Sequence, residues 1–285
     1  MDVNTNITAS IDSLGTAQKK LLARIIESFE AGVETTINPE SDFCGNPDFV
    51  GYFANLFCVY HTITEHKFEK KSFEFAFKYA FLAAGVESNI TENSSHQGED
   101  IICGGERFSL KTEGEKPQNI TKISKFSEAA FMSKYVTSIE QKEIESLRNS
   151  DPAKEKRMVS LEEHRQNILL PQLVDEFKNT ISHHLDSYDR MVTLKGRASK
   201  KDGKIVSYRY RLIEIPLELL RKILTLRVDS FKPLKANGGT SAPVMIDGKK
   251  VFGVTLDGSD QKLTITGIAI DHCITHAEFV VPITI

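Results

Sequence analysis

The stretch DIICGGERFSLKT, residues 100–112, decides the fold prediction. Two short apolar runs flank a glycine pair, and both glycines accept the positive φ angles of a tight turn between antiparallel strands. The sequence therefore predicts a β-hairpin. Because side chains alternate along a strand, Ser109 and Lys111 share one face of its second strand, and Leu110 points into the core.

This hairpin would bring Asp100, at the start of its first strand, close to Lys111 on the second. A hard divalent cation binds carboxylate and carbonyl oxygens, which Asp100 and the backbone of Leu110 can supply. A lysine beside such a cation can position the water that attacks a phosphodiester. The hairpin thus predicts a metal-assisted hydrolytic site, whereas the alternative is a surface ion pair on a hairpin.

Helical periodicity and alternating patterns organise the rest of the chain. The sequence predicts helices over residues 10–34, 48–64, 66–84, 120–135, 161–185 and 217–226. It predicts strands at 190–195 and 205–215, a charged turn at 196–203, and short strands from Pro243 onward. This order predicts an α/β (α+β) fold with a mixed central sheet flanked by helices and a β-rich C-terminal part. We divide the chain into a helical part (1–65), a core (66–230) and a β-rich part (231–285), packed as one domain.

The composition excludes several classes of protein. The 285 residues carry a net charge of −3 and no apolar run long enough to cross a bilayer, and the polar N-terminus lacks a signal-peptide pattern. The four cysteines form no C-x-x-C pair, which argues against a zinc ribbon and a disulfide scaffold. His183 and His184 are adjacent near a helix end, point in different directions and make a poor metal pair.

The charge is unevenly distributed along the chain. Residues 190–235 contain thirteen Lys or Arg and four Asp or Glu, a net charge of +9, so the remainder carries −12. One basic region on an acidic protein is typical of a polyanion-binding surface, although a solvated face with a charged hairpin tip gives the same pattern.

Asp100 followed by Ser109-Leu110-Lys111 resembles the D…(D/E)-x-K motif of the PD-(D/E)XK nucleases, which include most type II restriction endonucleases. The chain departs from the motif in two places: Glu99 replaces the usual proline, and Ser109 replaces the second carboxylate. The arrangement is similar to a subgroup with S-x-K on the strand and the second carboxylate on the following helix. Residues 66–135 carry the resemblance.

The resemblance implies which carboxylates complete the site. Glu128 is the second metal ligand by its spacing, with sixteen residues between it and Lys111. Glu113, on the same strand face as Ser109 and Lys111, is the alternative. Family members often place a further glutamate on the helix before the hairpin, and Glu74 fits that role better than Glu69.

The resemblance also implies the activity: a site-specific endodeoxyribonuclease that cuts duplex DNA with Mg²⁺ and acts as a homodimer in the cytoplasm of a bacterium or archaeon. In this reading Asp100, Glu128 and the Leu110 carbonyl hold Mg²⁺, and Lys111 positions water. A repair or recombination nuclease and a non-catalytic DNA-binding module are the alternatives. The basic segment then supplies DNA-binding candidates, namely Arg190, Lys195, Arg197, Lys200, Lys201, Lys204, Arg209, Arg211, and, in the loop that follows, Lys235 and Asn237.

Overall fold

The computed structural model describes residues 10–91, 99–113, 119–126, 178–179, 181–233, 240–257 and 262–283. Its helices are α1 (Thr16–Ala31), α2 (Pro47–Ile63), α3 (Lys70–Ala83) and the short α4 (Leu217–Arg221). The predicted N-terminal helices are confirmed, although α3 begins four residues later than its pattern suggested. Among the described residues, no helix is both long and apolar enough to span a membrane.

Local chemistry sets the ends of these helices. The side chain of Asn46 accepts hydrogen bonds from the backbone N–H groups of Asp48 and Phe49, which caps α2. Pro47 stands in the first turn, where its missing N–H costs nothing. After α1 the chain turns at Gly32, whose φ of 69° is accessible to glycine without strain.

The strands form two sheets. They are β1 (Glu34–Ile37), β2 (Ser88–Ile90), β3 (Ile101–Cys103), β4 (Glu106–Glu113), β5 (Asn119–Phe126), β6 (Arg190–Lys201), β7 (Lys204–Ile215), β8 (Lys232–Pro233), β9 (Thr240–Ile246), β10 (Lys249–Asp257), β11 (Lys262–Ala269) and β12 (Ile274–Pro282). Within the described residues, seven strands form the central sheet, in the order β1-β12-β7-β6-β4-β3-β2, and five form a second sheet, in the order β5-β11-β10-β9-β8.

The central sheet is mixed, as the fold class predicted, because β4 and β6 run parallel while β6–β7 and β3–β4 run antiparallel. Helices α2 and α3 cover one face with a phenylalanine-rich core that includes Phe53, Phe77, Leu110 and Phe279. The second sheet contributes Phe252 and its neighbours to a core with the opposite face of β6 and β7. The C-terminal part is β-rich, as expected.

Two predicted elements are wrong. Residues 119–126 form β5 and not the start of a helix over 120–135, because pairing with β11 in the second sheet overrides the local helical spacing. The turn predicted at 196–203 is strand as far as Lys201, and only Asp202 and Gly203 turn. Gly196 lies inside β6, where a Cβ atom would come within 2.7 Å of the Tyr210 ring.

The division of the chain at residues 65 and 230 stays a prediction. Strand β1 comes from the first of those parts and β12 from the last, and they pair with each other in the central sheet. Both ends of the chain therefore contribute to the sheet that carries the hairpin.

Candidate active site

The hairpin brings together Asp100, Ser109 and Lys111, as the sequence predicted for their positions. The turn at Gly104-Gly105 has φ angles of 57° and 87°, and β3 pairs with β4. The ammonium of Lys111 lies 2.7 Å from Ser109 Oγ, 3.4 Å from Asp100 Oδ2 and 3.3 Å from the carbonyl oxygen of Leu110. Four groups that the sequence placed on one hairpin therefore converge on one point.

Backbone contacts hold Asp100 in this position. Its N–H donates to the carbonyl of Phe108 at 2.8 Å, and its Oδ2 accepts from the N–H of Leu110 at 2.6 Å. The Leu110 side chain is fully buried in the core beneath. The core thus fixes the strand, and the strand in turn fixes the carboxylate.

Helix α3 adds a second carboxylate and two lysines. Glu74 is buried. The Lys70 ammonium lies 2.6 Å from Asp100 Oδ1 and 3.5 Å from Glu74 Oε1, so it bridges the two acids. Lys71 binds Glu74 Oε2 at 2.8 Å. We call Asp100, Glu74, Lys70, Lys71 and Lys111 the Asp100 cluster.

Burial and neighbouring charges shift the pKa values of both Asp100 and Lys111. Burial alone would raise the pKa of Asp100, but the charge of Lys111 and the hydrogen bond and charge of Lys70 hold that pKa below its ordinary value. Burial lowers the pKa of Lys111, and the nearby charge of Lys70 lowers it further, against the opposing effect of Asp100. Asp100 is therefore an anion over the physiological pH range, and Lys111 releases its proton more readily than a free lysine.

The sequence did not single out Lys70, Thr193 or His184 as site residues. Lys70 has a signal in its spacing, since it stands four residues before Glu74 on the same helix. Thr193 pairs with Lys111 across β4 and β6, and among the described residues its buried Oγ1 has no hydrogen-bond partner. Burial and the charge of Lys111 lower the pKa of His184 to about 4, so a neutral imidazole lies within electrostatic reach of Lys111.

The other predicted carboxylates lie elsewhere. Glu113 is buried and binds Lys195 at 3.2 Å, two residues beyond Lys111 on the same strand face. Glu128 lies outside the described residues. The helix expected to carry it does not begin at residue 120, because that segment is β5.

The basic residues of β6 and β7 continue from this cluster. Strand register places Lys195 opposite Arg211 and Arg197 opposite Arg209, all on the sheet face that carries Lys111. Glu278 on β12 binds Arg209 at 3.0 Å and Arg211 at 2.7 Å. An open trough of about 500 Å³ lies here, lined by Lys195, Arg197, Ala198, Ser199, Lys200, Arg209 and Arg211.

The remaining DNA-binding candidates are placed differently. Lys200, Lys201 and Lys204 are exposed around the β6–β7 turn, whereas Lys235 and Asn237 lie outside the described residues. Arg190 faces the opposite side of the sheet, with its guanidinium over the rings of Phe43 and Phe108.

Arg190 is also held by acids there. It binds Asp42 and Glu214 and lies 3.4 Å from Glu106. We call Arg190 and these three acids the Arg190 cluster. Because the residue is buried in this cluster, we do not retain it among the DNA-contacting residues.

Comparison with known families identifies the class of enzyme. A model of the family described as "SmaI: Type II site-specific deoxyribonuclease" matches residues 9–161, more than half of the chain. The protein is thus a type II restriction endonuclease, an enzyme that hydrolyses DNA. It belongs to the SmaI family.

A curated relative supports this assignment along the rest of the chain. The type II restriction enzyme SmaI of Serratia marcescens is 25% identical over 280 residues, which cover 94% of this chain and 94% of the relative. No solved structure matches the chain. The restriction-enzyme prediction is confirmed at the level of the family, in preference to a repair nuclease or a non-catalytic module.

Proposed function

We propose that this enzyme cuts duplex DNA with Mg²⁺ at the Asp100 cluster, with Asp100 and the Leu110 carbonyl among the metal ligands and Lys111 positioning the attacking water. The observation that carries the proposal is the convergence of the Lys111 ammonium on Asp100, Ser109 and Leu110. A lysine, a carboxylate and a backbone carbonyl around one point are the groups that metal-assisted hydrolysis needs.

The donor atoms of the cluster fit Mg²⁺. They are carboxylate and carbonyl oxygens, which a hard cation prefers, and Mg²⁺ commonly takes only one or two carboxylates with water and phosphate oxygens. The described residues contain no group of three or more potential Asp, Glu, His or Cys ligands, which agrees with a site completed by solvent and substrate. Bound there, the cation would stabilise charge on the phosphate oxygens and lower the pKa of water.

The side chains of the cluster have separate roles in this proposal. Lys111 holds a water near Asp100 for attack on phosphorus, and its lowered pKa eases transfer of a proton. Ser109 accepts a hydrogen bond from Lys111 and orients its ammonium. Thr193, whose hydroxyl is unpartnered among the described residues, can bind the same water or a phosphate oxygen.

Glu74 is our first choice for the second carboxylate among the described residues. It is buried, and it shares Lys70 with Asp100. Glu113 is a weaker choice because its partner is Lys195 on β6, whereas Glu74 shares Lys70 with Asp100 itself. Glu128 stays a prediction, and the effect of Glu128→Gln on metal affinity tests it directly against Glu74→Gln.

We propose that the trough between β6 and β7 binds DNA phosphates. Its cations lie on the same sheet face as Lys111, so a strand whose phosphate reaches the site can continue along Arg197 and Arg209. Contacts of this kind are sequence-independent and weaken with salt. Removing Arg209 should reduce the salt dependence of DNA binding without changing the preferred sequence.

We further propose that the enzyme is a homodimer, because a two-fold symmetric dimer presents two equivalent sites to the two antiparallel strands of DNA. The location in the cytoplasm stays a prediction.

The test is cleavage of plasmid DNA by the purified chain with and without Mg²⁺. We expect discrete fragments with Mg²⁺, no cleavage by Asp100→Asn, and wild-type cleavage by Lys78→Met, a control on α3 outside the cluster. Cleavage by a folded Asp100→Asn variant at the wild-type rate would show that the active site lies elsewhere.

A further inference from the structure

Glu278 on β12 is an acid beside the basic trough, and it contacts two of the arginines that line it. Its Oε1 lies 3.0 Å from Nη1 of Arg209, and its Oε2 lies 2.7 Å from Nε of Arg211. Strand register places Glu278 directly opposite Arg211, so both side chains share the sheet face that carries Lys111. One carboxylate therefore bridges two guanidinium groups at the surface where we propose that DNA phosphates bind.

Like charges lie directly opposite each other along β6 and β7. Lys195 pairs in register with Arg211, and Arg197 pairs with Arg209. Directly opposed like charges destabilise a sheet. The two arginines of β7 are the ones that Glu278 binds, so its negative charge offsets part of this repulsion in the DNA-free enzyme.

The exposure of these side chains distinguishes the bridge from a buried ion pair. The side chain of Arg209 is 51% exposed, that of Arg211 is 29% exposed and that of Glu278 is 25% exposed. The neighbouring pair of Lys195 and Glu113, by contrast, is only 6% and 8% exposed. Solvent therefore reaches the arginines that Glu278 bridges, and a phosphate group can reach them from the same side.

A backbone phosphate of DNA offers arginine the same contacts as a carboxylate. Each group carries one negative charge and two oxygens that accept hydrogen bonds, and the planar fork of donors in arginine binds both. Glu278 places one of its oxygens on each of two arginines. It thus occupies the position in which one phosphate would contact both guanidinium groups.

We propose that Arg209 and Arg211 form a binding site for one backbone phosphate of DNA, and that Glu278 fills this site until DNA displaces it. This inference rests on the proposed function of the trough and adds a competitor from the chain itself. Because the phosphate must replace Glu278, the acid lowers the affinity for DNA of any sequence. The same acid stabilises the cation-rich strands while no DNA is bound.

Glu278→Gln tests this site, because it removes the charge and keeps the size of the side chain. The measurement is the fluorescence anisotropy of a short DNA duplex of random sequence, without Mg²⁺ so that no strand is cut, at several salt concentrations. We expect the dissociation constant at low salt to fall by about tenfold, since the phosphate no longer meets a negative charge. The logarithm of the affinity should fall with the logarithm of the salt concentration with a slope steeper by about one unit, the contribution of one further phosphate contact.

Two further variants are measured in the same way. Glu218→Gln removes the same charge from an exposed acid beside Arg221 on α4, outside the trough, and should bind DNA as the wild type does. Arg197→Met tests the trough itself and should weaken binding. If Arg197→Met weakens binding and Glu278→Gln does not strengthen it, the trough stands and this inference is rejected. If neither variant changes binding, the DNA-binding role of the trough and this inference fail together.

Thermal melting with and without the duplex separates this role from a purely structural one. DNA-free Glu278→Gln should melt below the wild type, because the opposed cations lose their acid, and DNA should raise its midpoint by more than that of the wild type. A lower midpoint with unchanged or weaker DNA binding would overturn the inference. If Glu278→Gln does not fold, Arg211→Met provides the second test. It should bind DNA with a shallower salt dependence, and an unchanged salt dependence would reject the phosphate site.

Discussion

Two charged clusters both draw on strand β4: Glu106 at its start belongs to the Arg190 cluster, and Lys111 near its end belongs to the Asp100 cluster. In the Arg190 cluster one guanidinium binds three carboxylates, from Asp42, Glu106 and Glu214. In the Asp100 cluster three ammonium groups surround two carboxylates. The first has an excess of negative partners around one largely buried cation, and the second has an excess of cations around two largely buried acids.

The two clusters differ in the kind of cation that they contain, and this difference suits them to different tasks. A planar guanidinium binds carboxylates in fixed geometry and stacks on aromatic rings, as Arg190 does on Phe43 and Phe108. A lysine ammonium is a point charge on a flexible chain and can exchange partners. The Arg190 cluster therefore ties β6, β7 and the hairpin to the segment before α2, whereas we propose that the Asp100 cluster rearranges around a cation and a phosphate.

The largest expected effect is on catalysis. Lys111→Met should reduce the rate of plasmid cleavage by on the order of a thousandfold or more, the scale seen when one catalytic donor is removed. Its thermal midpoint should stay near that of the wild type, because Asp100 keeps Lys70 and the Leu110 N–H as partners when the Lys111 ammonium is removed. Cleavage at a rate within a few fold of the wild type would show that Lys111 is not a catalytic residue.

Next in size is the effect on stability. Arg190→Met should lower the free energy of unfolding by about 3 kcal/mol, because it leaves Glu214, whose side chain is 13% exposed, without its guanidinium partner. Asp42 and Glu106 add little, because both are more than half exposed and solvent screens their charges. Urea denaturation measures this loss, and the exposed Arg227→Met provides the control. If the Arg190 variant unfolds with the wild-type midpoint, the cluster does not stabilise the fold.

A smaller effect is expected on metal affinity. Lys70 lies 2.6 Å from Asp100, where its charge opposes that of an incoming cation. Lys70→Met should tighten binding of Mg²⁺ to the DNA-free enzyme by about tenfold, since a unit charge a few ångströms away is worth more than 1 kcal/mol. Calorimetric titration checks this, with Lys78→Met as the control; weaker binding by the Lys70 variant would mean that Lys70 supports the site.

The smallest effect concerns acid stability. Burial would raise the pKa of Glu214, but hydrogen bonds from His276 and Arg190 and their charges lower it below its ordinary value of 4.5. The unfolded chain then takes up a proton first as the pH falls, so this stabilisation is present above pH 4.5 and is lost through the lowered pKa. Glu214→Gln should unfold with a shallower dependence on pH in this window, as measured by denaturation at several pH values; an unchanged slope would exclude Glu214 as a contributor.

Much of the site could be predicted from local patterns. The glycine pair defined the hairpin, and strand alternation placed Ser109 and Lys111 on one face with Leu110 beneath. Lys70 was not predicted as a site residue because its contact with Asp100 depends on how α3 packs against the hairpin, whereas its spacing to Glu74 indicates only a pair within the helix. The ion pairs of Arg190 were not predicted for a similar reason, since its partners Asp42 and Glu214 are 148 and 24 residues away in sequence.

The same limit explains the errors in the fold. Residues 119–126 have a helical spacing of apolar side chains, but hydrogen bonding to β11, more than a hundred residues away, makes them a strand. Gly196 suggested a turn, whereas it makes room for the Tyr210 ring. Both errors therefore come from partners that local spacing does not reveal, β11 for residues 119–126 and Tyr210 for Gly196.

We propose that Mg²⁺ binds at the Asp100 cluster and not at the Arg190 cluster. Isothermal titration calorimetry of Mg²⁺ into the folded enzyme compares the two clusters. We expect Asp100→Asn to abolish the binding heat and Glu214→Gln to preserve it. Equal Mg²⁺ binding by the wild type and a folded Asp100→Asn variant would show that Asp100 is not a metal ligand.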